Sequence, residues 1–412
     1  PKEKKLYQIE FDPVDNPEMA TAVEIIGTAF YHAIGYHVVD VYLAELDRES
    51  LVIAEKATIR DPLNGRRRRL EEHDLDKVFD NSARLANGRY RVLVSRFASG
   101  SPLGNFRYYG TRPDDPNDIV PHEHRRELRG ARVFAAWLNH DDSRGINSLD
   151  MLETTDGRRW VKHYMFDFGS ILGSGTVFAQ RHRPGNEYIF EAGPGWLTLA
   201  TLGLYVRPWM TIDYPQGPAS VGRIESARFD ALRWKPEYPN PAFDNMRPDD
   251  AFWAARIVAE FSDAAIRGIV EKAEYSAPAA TDYITQTLIA RRDKVVAAWL
   301  NQVCPVTDAS LAADGALTFA NAAVEAGAAT PAENYTLRWF AFDNATGARS
   351  PSGEEVSTSA LSSRSPTQLT GEFVGVTISA THARQRGWAR PATFFFRRSG
   401  SAAWTLVGVE RG

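Results

Sequence analysis

The 412-residue sequence has a single cysteine, Cys304, which excludes an intramolecular disulfide and a zinc site built from several thiolates. Lysine is scarce: 9 lysines stand against 39 arginines, and none follows Lys294. We read that excess of arginine as the imprint of a GC-rich genome rather than of a function. No run of about 18 apolar residues occurs, so nothing here spans a bilayer as a helix. Nor is there a surplus of basic charge. Lys+Arg 48 against Asp+Glu 52 leaves a net charge of −4, which argues against a general nucleic-acid role, since phosphates need a basic surface. G-x-S-x-G, H-E-x-x-H and Walker sequences are absent, and no helix pattern opens after Gly100–Gly110 to make it a dinucleotide fingerprint. What remains is the composition of a globular chain, 43% hydrophobic and 24% charged, long enough for two or three domains. It begins at Pro1 rather than Met, which we read as a processed or partly observed product.

Three regions differ in texture. Residues 1–95 alternate short apolar runs with turn chemistry: Leu6–Phe11, Val38–Leu46 and Tyr90–Val94 read as strands. Between the first two, Glu18–Ile34 reads as a helix with one buried face, because Ala22, Ile25, Ile26, Ala29, Phe30 and Ala33 recur at three- and four-residue spacing. Residues 96–304 are richer in helix. His124–Leu138 is one, a helix capped by Asp249 or Asp250 and carrying Phe252 through Ile269 is a second, and Thr281–Val303 is a third. Prolines and aromatics between Tyr205 and Phe243 suggest a long ordered loop. Residues 305–412 turn to Ala, Ser, Thr and Gly, with strands expected at 335–342, 372–380, 392–398 and 403–409. That spacing predicts a small immunoglobulin- or fibronectin-like β-sandwich with its boundary near Pro305.

The strongest chemical pattern lies between His140 and Gly175. Asp142 stands five residues before Asn147, and Asp167 follows 20 residues later in Asp167-Phe168-Gly169. Phosphoryl transfer needs a carboxylate beside the attacking hydroxyl. It also needs an amide oxygen and a second carboxylate to hold Mg²⁺ against nucleotide phosphates. Leu149–Glu153 and Arg159–Phe166 read as strands around the turn Thr154–Gly157, so a hairpin separates the two halves of the pattern.

D-x₄-N followed by D-F-G resembles the catalytic and metal-binding loops of the protein-kinase-like superfamily. LYQIEFDPVDNPEMATAVEIIGTAFYHAIGYHVVDVYL resembles the third strand, the following helix and the next strand of HipA-type atypical bacterial kinases. FRYYGTRPDDPND, HEHRRELRG, AAWLNHDDSR and DFGSILGSG are similar, almost in full, to a bacterial family of that superfamily, so the resemblance covers most of residues 1–300. It implies an α+β, bilobal kinase-like fold: a small lobe over 1–95, then a helical lobe with the catalytic hairpin over 96–304. By the same resemblance Asp142 is the base that orients the acceptor hydroxyl, and Asn147 and Asp167 are the Mg²⁺ ligands. Glu24 becomes the helix carboxylate that pairs with a strand lysine, and Arg96 lies in the connection between lobes, beside ATP. The related family also implies export ahead of a trimmed start.

Two departures stand out. Glu10 occupies the expected place of the strand lysine, where a carboxylate repels both the nucleotide phosphates and Glu24. No G-x-G-x-x-G strand pair precedes it, and Lys2, Lys4 or Lys5 is the nearest substitute cation. The expectation is therefore an ATP- and Mg²⁺-dependent phosphotransferase, with a degenerate pseudokinase as the alternative, its C-terminal sandwich binding a protein partner. His122, Glu123, His124, His140 and Asp141 read as a charged helix start rather than a metal cluster, since residues two apart do not share a helix face. Arg66–Arg69, followed by Glu71, Glu72 and Asp74, reads as a solvated loop, and Cys304 as a semi-buried residue near a helix end. The N-x-T sequons at Asn334 and Asn344 carry no function without a glycosylating host.

Overall fold

The first strand–helix–strand unit forms as β1 (Tyr7–Phe11), α1 (Met19–Ile34) and β2 (Val41–Leu46). The computed structural model containing it describes residues 5–61, 64–214, 217–366, 369, 371–399 and 403–411. A short hairpin, β3 (Thr58–Arg60) and β4 (Arg67–Arg69), leads to α2 (Glu72–Asp80) and β5 (Tyr90–Arg96). β5, the last of these strands in chain order, lies between β1 and β2 and pairs antiparallel with both.

α1 packs on this sheet and departs from the expected single buried face. Every residue from Met19 to Thr28 is buried, as are Phe30 and Tyr31, whereas Ala33 is exposed. The second covering surface is the segment around Phe168. A Cβ added at Gly27 would sit 2.5 Å from Phe168 Cβ, so only glycine allows that approach. The helix stops at Gly35, whose φ of 108° places it in the left-handed region, with its N–H donating back to Tyr31 and His32.

The middle of the chain supplies β6 (Ser101–Gly104), α3 (Arg126–Leu138), β7 (Ser148–Thr155) and β8 (Arg158–Met165), then α4 (Ala192–Ala200) and α5 (Pro241–Asp244). α6 (Pro248–Ala259), α7 (Asp263–Glu271) and α8 (Pro278–Leu300) complete it. β6, β7 and β8 form an antiparallel sheet, and the β7–β8 hairpin matches the expected one. The single helix expected across Phe252–Ile269 is instead two. The chain breaks after Ala259, and Ser262 restarts it by accepting the N–H of Ala265 at 3.1 Å. Serine competes for backbone hydrogen bonds inside a helix and satisfies them at its start, which apolar periodicity does not reveal.

The C-terminal part is β-rich: β9 (Val306–Leu311), β10 (Ala316–Asn321), the short α9 (Ala322–Glu325) and β11 (Asn334–Phe342). β12 (Arg349–Pro351), β13 (Val356–Thr358), β14 (Ser362–Arg364), β15 (Phe373–Thr381), β16 (Ala392–Ser399) and β17 (Ala403–Arg411) follow. One antiparallel sheet runs β14-β10-β9, and the other β12-β11-β15-β16-β17 with β13 also on β11. The whole is a mixed α+β protein with antiparallel sheets, as expected of its class. Its main apolar core is continuous from α1 through α3, α6 and α8 into β9, β11, β15 and β16. Cys304 belongs to that core and is fully buried rather than semi-buried, which pushes its thiol up to about 11. A separate small core of Phe79, Tyr90 and Val92 lies under α2.

Candidate active site

The candidate residues converge because α3 ends where it does. Asn139 caps it at φ 52°, and its side-chain oxygen accepts the indole N–H of Trp234 at 2.8 Å. His140 N–H then donates to Ala135 at 2.8 Å, turning His140–Asp142 off the helix end. α1 holds this turn from the other side. Tyr31 bonds through its hydroxyl to His140 Nδ1 at 2.9 Å, and its ring stacks on Phe168 at 4.8 Å. Burial lowers His140 to about 4, so this imidazole is neutral at physiological pH.

Asn147 donates its side-chain N–H to the carbonyl oxygen of Asp142 at 2.8 Å, which ties the two ends of D-x₄-N together. Arg144 forks onto the Asp142 carboxylate, with one bond of 2.7 Å from Nη2 and a second from Nε, while its guanidinium lies over Tyr238 at 4.5 Å. Asp167 takes a φ of 63°, a left-handed conformation unusual for a non-glycine residue and common where function holds strain. The next two backbone N–H groups, Phe168 and Gly169, donate to Glu24 from α1. Asp141 N–H donates to Ser170 O at 3.3 Å, which lays the Asp142 loop along the Asp167 segment.

Between the β1-β5-β2 sheet and this segment lies a cleft of about 260 Å³ whose walls include Glu10, Glu24, Thr28, Arg96 and Asp167. Electrostatics there are strained. Glu24 is held well above the usual carboxylate range by burial first, then by Glu10 and Asp167, and the two N–H donors offset only part of this. Glu10 is also raised, by burial and by Asp167, although Gln8 donates to it at 2.6 Å. Asp167 is raised by burial and by Asp142, against the pull of the Gly169 N–H and Arg144. Arg96, at the cleft's edge, is 3.6 Å from Asp40. Lys5 stands exposed just ahead of β1, and Lys2 and Lys4 lie outside the described residues.

Four of the candidate residues, Glu10, Glu24, Arg96 and Asp167, therefore share one cleft; Asp142 and Asn147 are not among its walls, although the Phe166 N–H donates to the Asn147 carbonyl at 3.4 Å. Asp142 instead faces a second, open cleft of about 770 Å³, with Asp141, Ser170, Gln180, Arg181 and Trp209 among its walls. Burial, then Glu237, pushes Asp141 up to about 7. Comparison with protein-family profiles, curated proteins and solved structures returns no match.

Several contributors escaped the sequence reading. Thr28 and Tyr31 follow Glu24 at i+4 and i+7 on one face of α1, a polar stripe that the denser apolar periodicity of the same helix obscures. Arg144, two residues beyond Asp142, had no local signal for its pairing. The charged helix start at His122 is locked locally: His122 bonds Asp118 at 2.8 Å and the Arg107 carbonyl, and stacks on Phe106 at 4.3 Å. Among the described residues no three His, Cys, Asp or Glu side chains are gathered to hold a metal. Arg66–Arg69 is not simply a solvated loop, because Arg68 on β4 forks onto the buried Asp74, 2.5 Å away. That charge-assisted pair holds the Asp74 carboxyl far below its ordinary value.

Proposed function

We propose that the protein is an atypical kinase-like phosphotransferase that uses ATP and Mg²⁺, on a bilobal core followed by a β-sandwich. The observation that carries the reading is the joining of Asp142, Asn147 and Asp167 across two loops pinned by α1. Asn147 spends its N–H on the Asp142 carbonyl, which turns its amide oxygen into the available ligand. The raised Asp167 carboxyl lies in a cleft where its carboxylate neighbours leave it short of positive charge, so it too suits a divalent cation. Those two residues would hold Mg²⁺, with phosphate oxygens and water as the remaining ligands, and the ion would neutralise charge on the transferring group. Asp142, on the open side, would accept the proton of an acceptor hydroxyl once Arg144 swings aside, positioning being most of the catalysis.

A second reading has its own observation. Glu10 lines the same cleft as Glu24 and Asp167 and raises Glu24 further, the reverse of what a phosphate-binding cation supplies. This favours a pseudokinase acting through its β-sandwich on a protein partner, possessing a nucleotide-site remnant and exported from the cell. Thermal unfolding with and without millimolar Mg²⁺·ATP separates the two. A rise in Tm that Asp167→Ala abolishes supports the phosphotransferase. No rise in the native protein, with one appearing in Glu10→Lys, supports the pseudokinase.

A further inference from the structure

We propose that the segment from Phe190 to Met210, centred on α4, is a surface that inserts into the interface of a phospholipid bilayer. None of the residues of α4 is buried, yet its sequence, AGPGWLTLA, carries no charge. The uncharged stretch continues to Val206, bounded by Glu191 and Arg207. Phe190 is 87% exposed, Leu202 92% and Leu204 83%, with Trp196, Leu199 and Val206 mostly exposed as well. A helix that is apolar on all sides is normally enclosed by a protein core or by lipid, and soluble surfaces seldom carry so large an apolar patch. The stretch is too short to cross a membrane, and no helix among the described residues is long and apolar enough to do so. It therefore fits a segment lying in the interface.

Lipid suits it better than a protein partner. A docking protein covers one face of a helix and meets a polar, charged rim that fixes its register. Here the exposed residues of α4 are all apolar or glycine, the half-buried Thr198 turns inward to accept from Arg207 at 3.3 Å, and no charged side chain lies between Ala192 and Val206. Trp196 and Tyr205 are of the type that concentrates where bilayer meets water. The stretch is tied to the body at both ends, and Pro194 and Tyr205 on it wall a cavity with Trp234. At its start Glu191 pairs with Lys235, and at its end Arg207 pairs with Glu187, which also accepts the Trp209 indole N–H at 2.7 Å. Because those flanking charges are already paired, apolar insertion rather than attraction to anionic headgroups drives the contact. Trp209 and Met210 also line the open cleft beside Asp142, so insertion brings that cleft to the lipid surface. The proposal does not depend on nucleotide binding.

The test is co-sedimentation of the full chain with vesicles of phosphatidylcholine alone and of phosphatidylcholine with phosphatidylglycerol. Binding to both, changed little by salt and weakened about tenfold or more in Leu199→Glu/Leu202→Glu, is the expected result. Leu361→Glu, at an exposed apolar site in the C-terminal part, should bind like wild type. Cys304 is fully buried, so Leu202→Cys accepts an environment-sensitive fluorophore selectively, and its emission should shift to the blue on vesicle addition. Three outcomes overturn the proposal: no binding to either vesicle, binding only to the anionic one and lost in salt, or a wild-type dimer by light scattering that Leu202→Glu dissociates.

Discussion

α1 and α4 invert each other. α1 buries Thr21, Glu24 and Thr28 alongside its apolar residues, whereas α4 exposes Trp196, Leu197 and Leu199 and buries nothing. Burying polar atoms costs free energy unless they are hydrogen-bonded, and α1 largely meets that condition. The Thr21 hydroxyl donates to Asp12 at 2.8 Å and accepts from Arg91 at 2.8 Å, and Glu24 accepts two backbone N–H groups. Thr28 Oγ1 alone on this helix has no partner among the described residues, and it faces the candidate cleft. Composition therefore does not assign a helix its place. One helix is covered because two surfaces close on it and fix a site, and the other is touched only along Pro194 and Thr198, the latter by Arg207, so that its Trp196, Leu197 and Leu199 stay exposed.

The contrast breaks most severely at Gly27. Glycine to alanine ordinarily stabilises a helix interior by about 1 kcal/mol. Here the new Cβ would meet Phe168 Cβ at 2.5 Å and Ile171 Cδ1 at 2.8 Å, so Gly27→Ala should destabilise by about 1–3 kcal/mol in urea titration. A more stable variant would refute the close packing of α1 on the Phe168 segment.

Asp141→Asn tests the buried loop that α1 holds. The folded carboxyl titrates at about 7 against an ordinary 3.8, so the native state binds the extra proton between those values. That group's contribution is fully present at low pH and falls as pH rises from about 4 to 7. The Asn variant lacks this loss, so its Tm relative to wild type should climb across that range, by the equivalent of about 1–4 kcal/mol. A pH-independent difference would refute the shift. His140 runs the other way. Its depressed value near 4 makes wild type lose stability as pH falls from 6.5 to 4, so the comparison must be made as a difference between variant and wild type.

Glu10→Gln probes the cleft that α1 walls. Removing one of three mutually repelling carboxylates should raise stability slightly, by less than about 1 kcal/mol because the group is partly exposed. The gain should grow as pH rises above 4.5, since the raised group loses its favourable proton there. A loss of stability at pH 8 would mean that Glu10 has a partner that the repulsion argument omits.

The smallest effect belongs to α4. Leu199→Glu should change Tm and urea midpoint by less than about 0.5 kcal/mol, because most of that side chain is already exposed. A larger loss would show that α4 is covered in solution.

The candidate site was legible where its residues are close in sequence. Asp142 and Asn147 belong to one turn, and Asp167 follows a hairpin whose turn carries Asp156 and Gly157 at positive φ. From the residues alone Glu24 is a polar side chain on an apolar helix; the kinase-like resemblance made it a helix carboxylate pairing with a lysine, not an acceptor of backbone N–H groups. Its N–H donors lie far along the chain, and no local pattern reports such a pairing. The same limit hid Arg91, which ties β5 to the carbonyl oxygens of Ala273 and Glu274. The break at Ser262 escaped because the apolar residues of α6 and α7 keep nearly one helical period across it.

By itself the sequence determined local conformation where a pattern is long and regular, as in α1, α3, α8 and the β7–β8 hairpin, and the motif spacing along two loops. These follow from backbone sterics and side-chain periodicity, which act over a few residues. Only the tertiary structure decided that β5 separates β1 from β2, that α1 is covered on two sides while α4 buries none of its residues, and that Glu10, Glu24, Arg96 and Asp167 share a cleft. Burial and the carboxylate repulsion it sharpens depend on which distant surfaces meet, and that is a property of the packed chain.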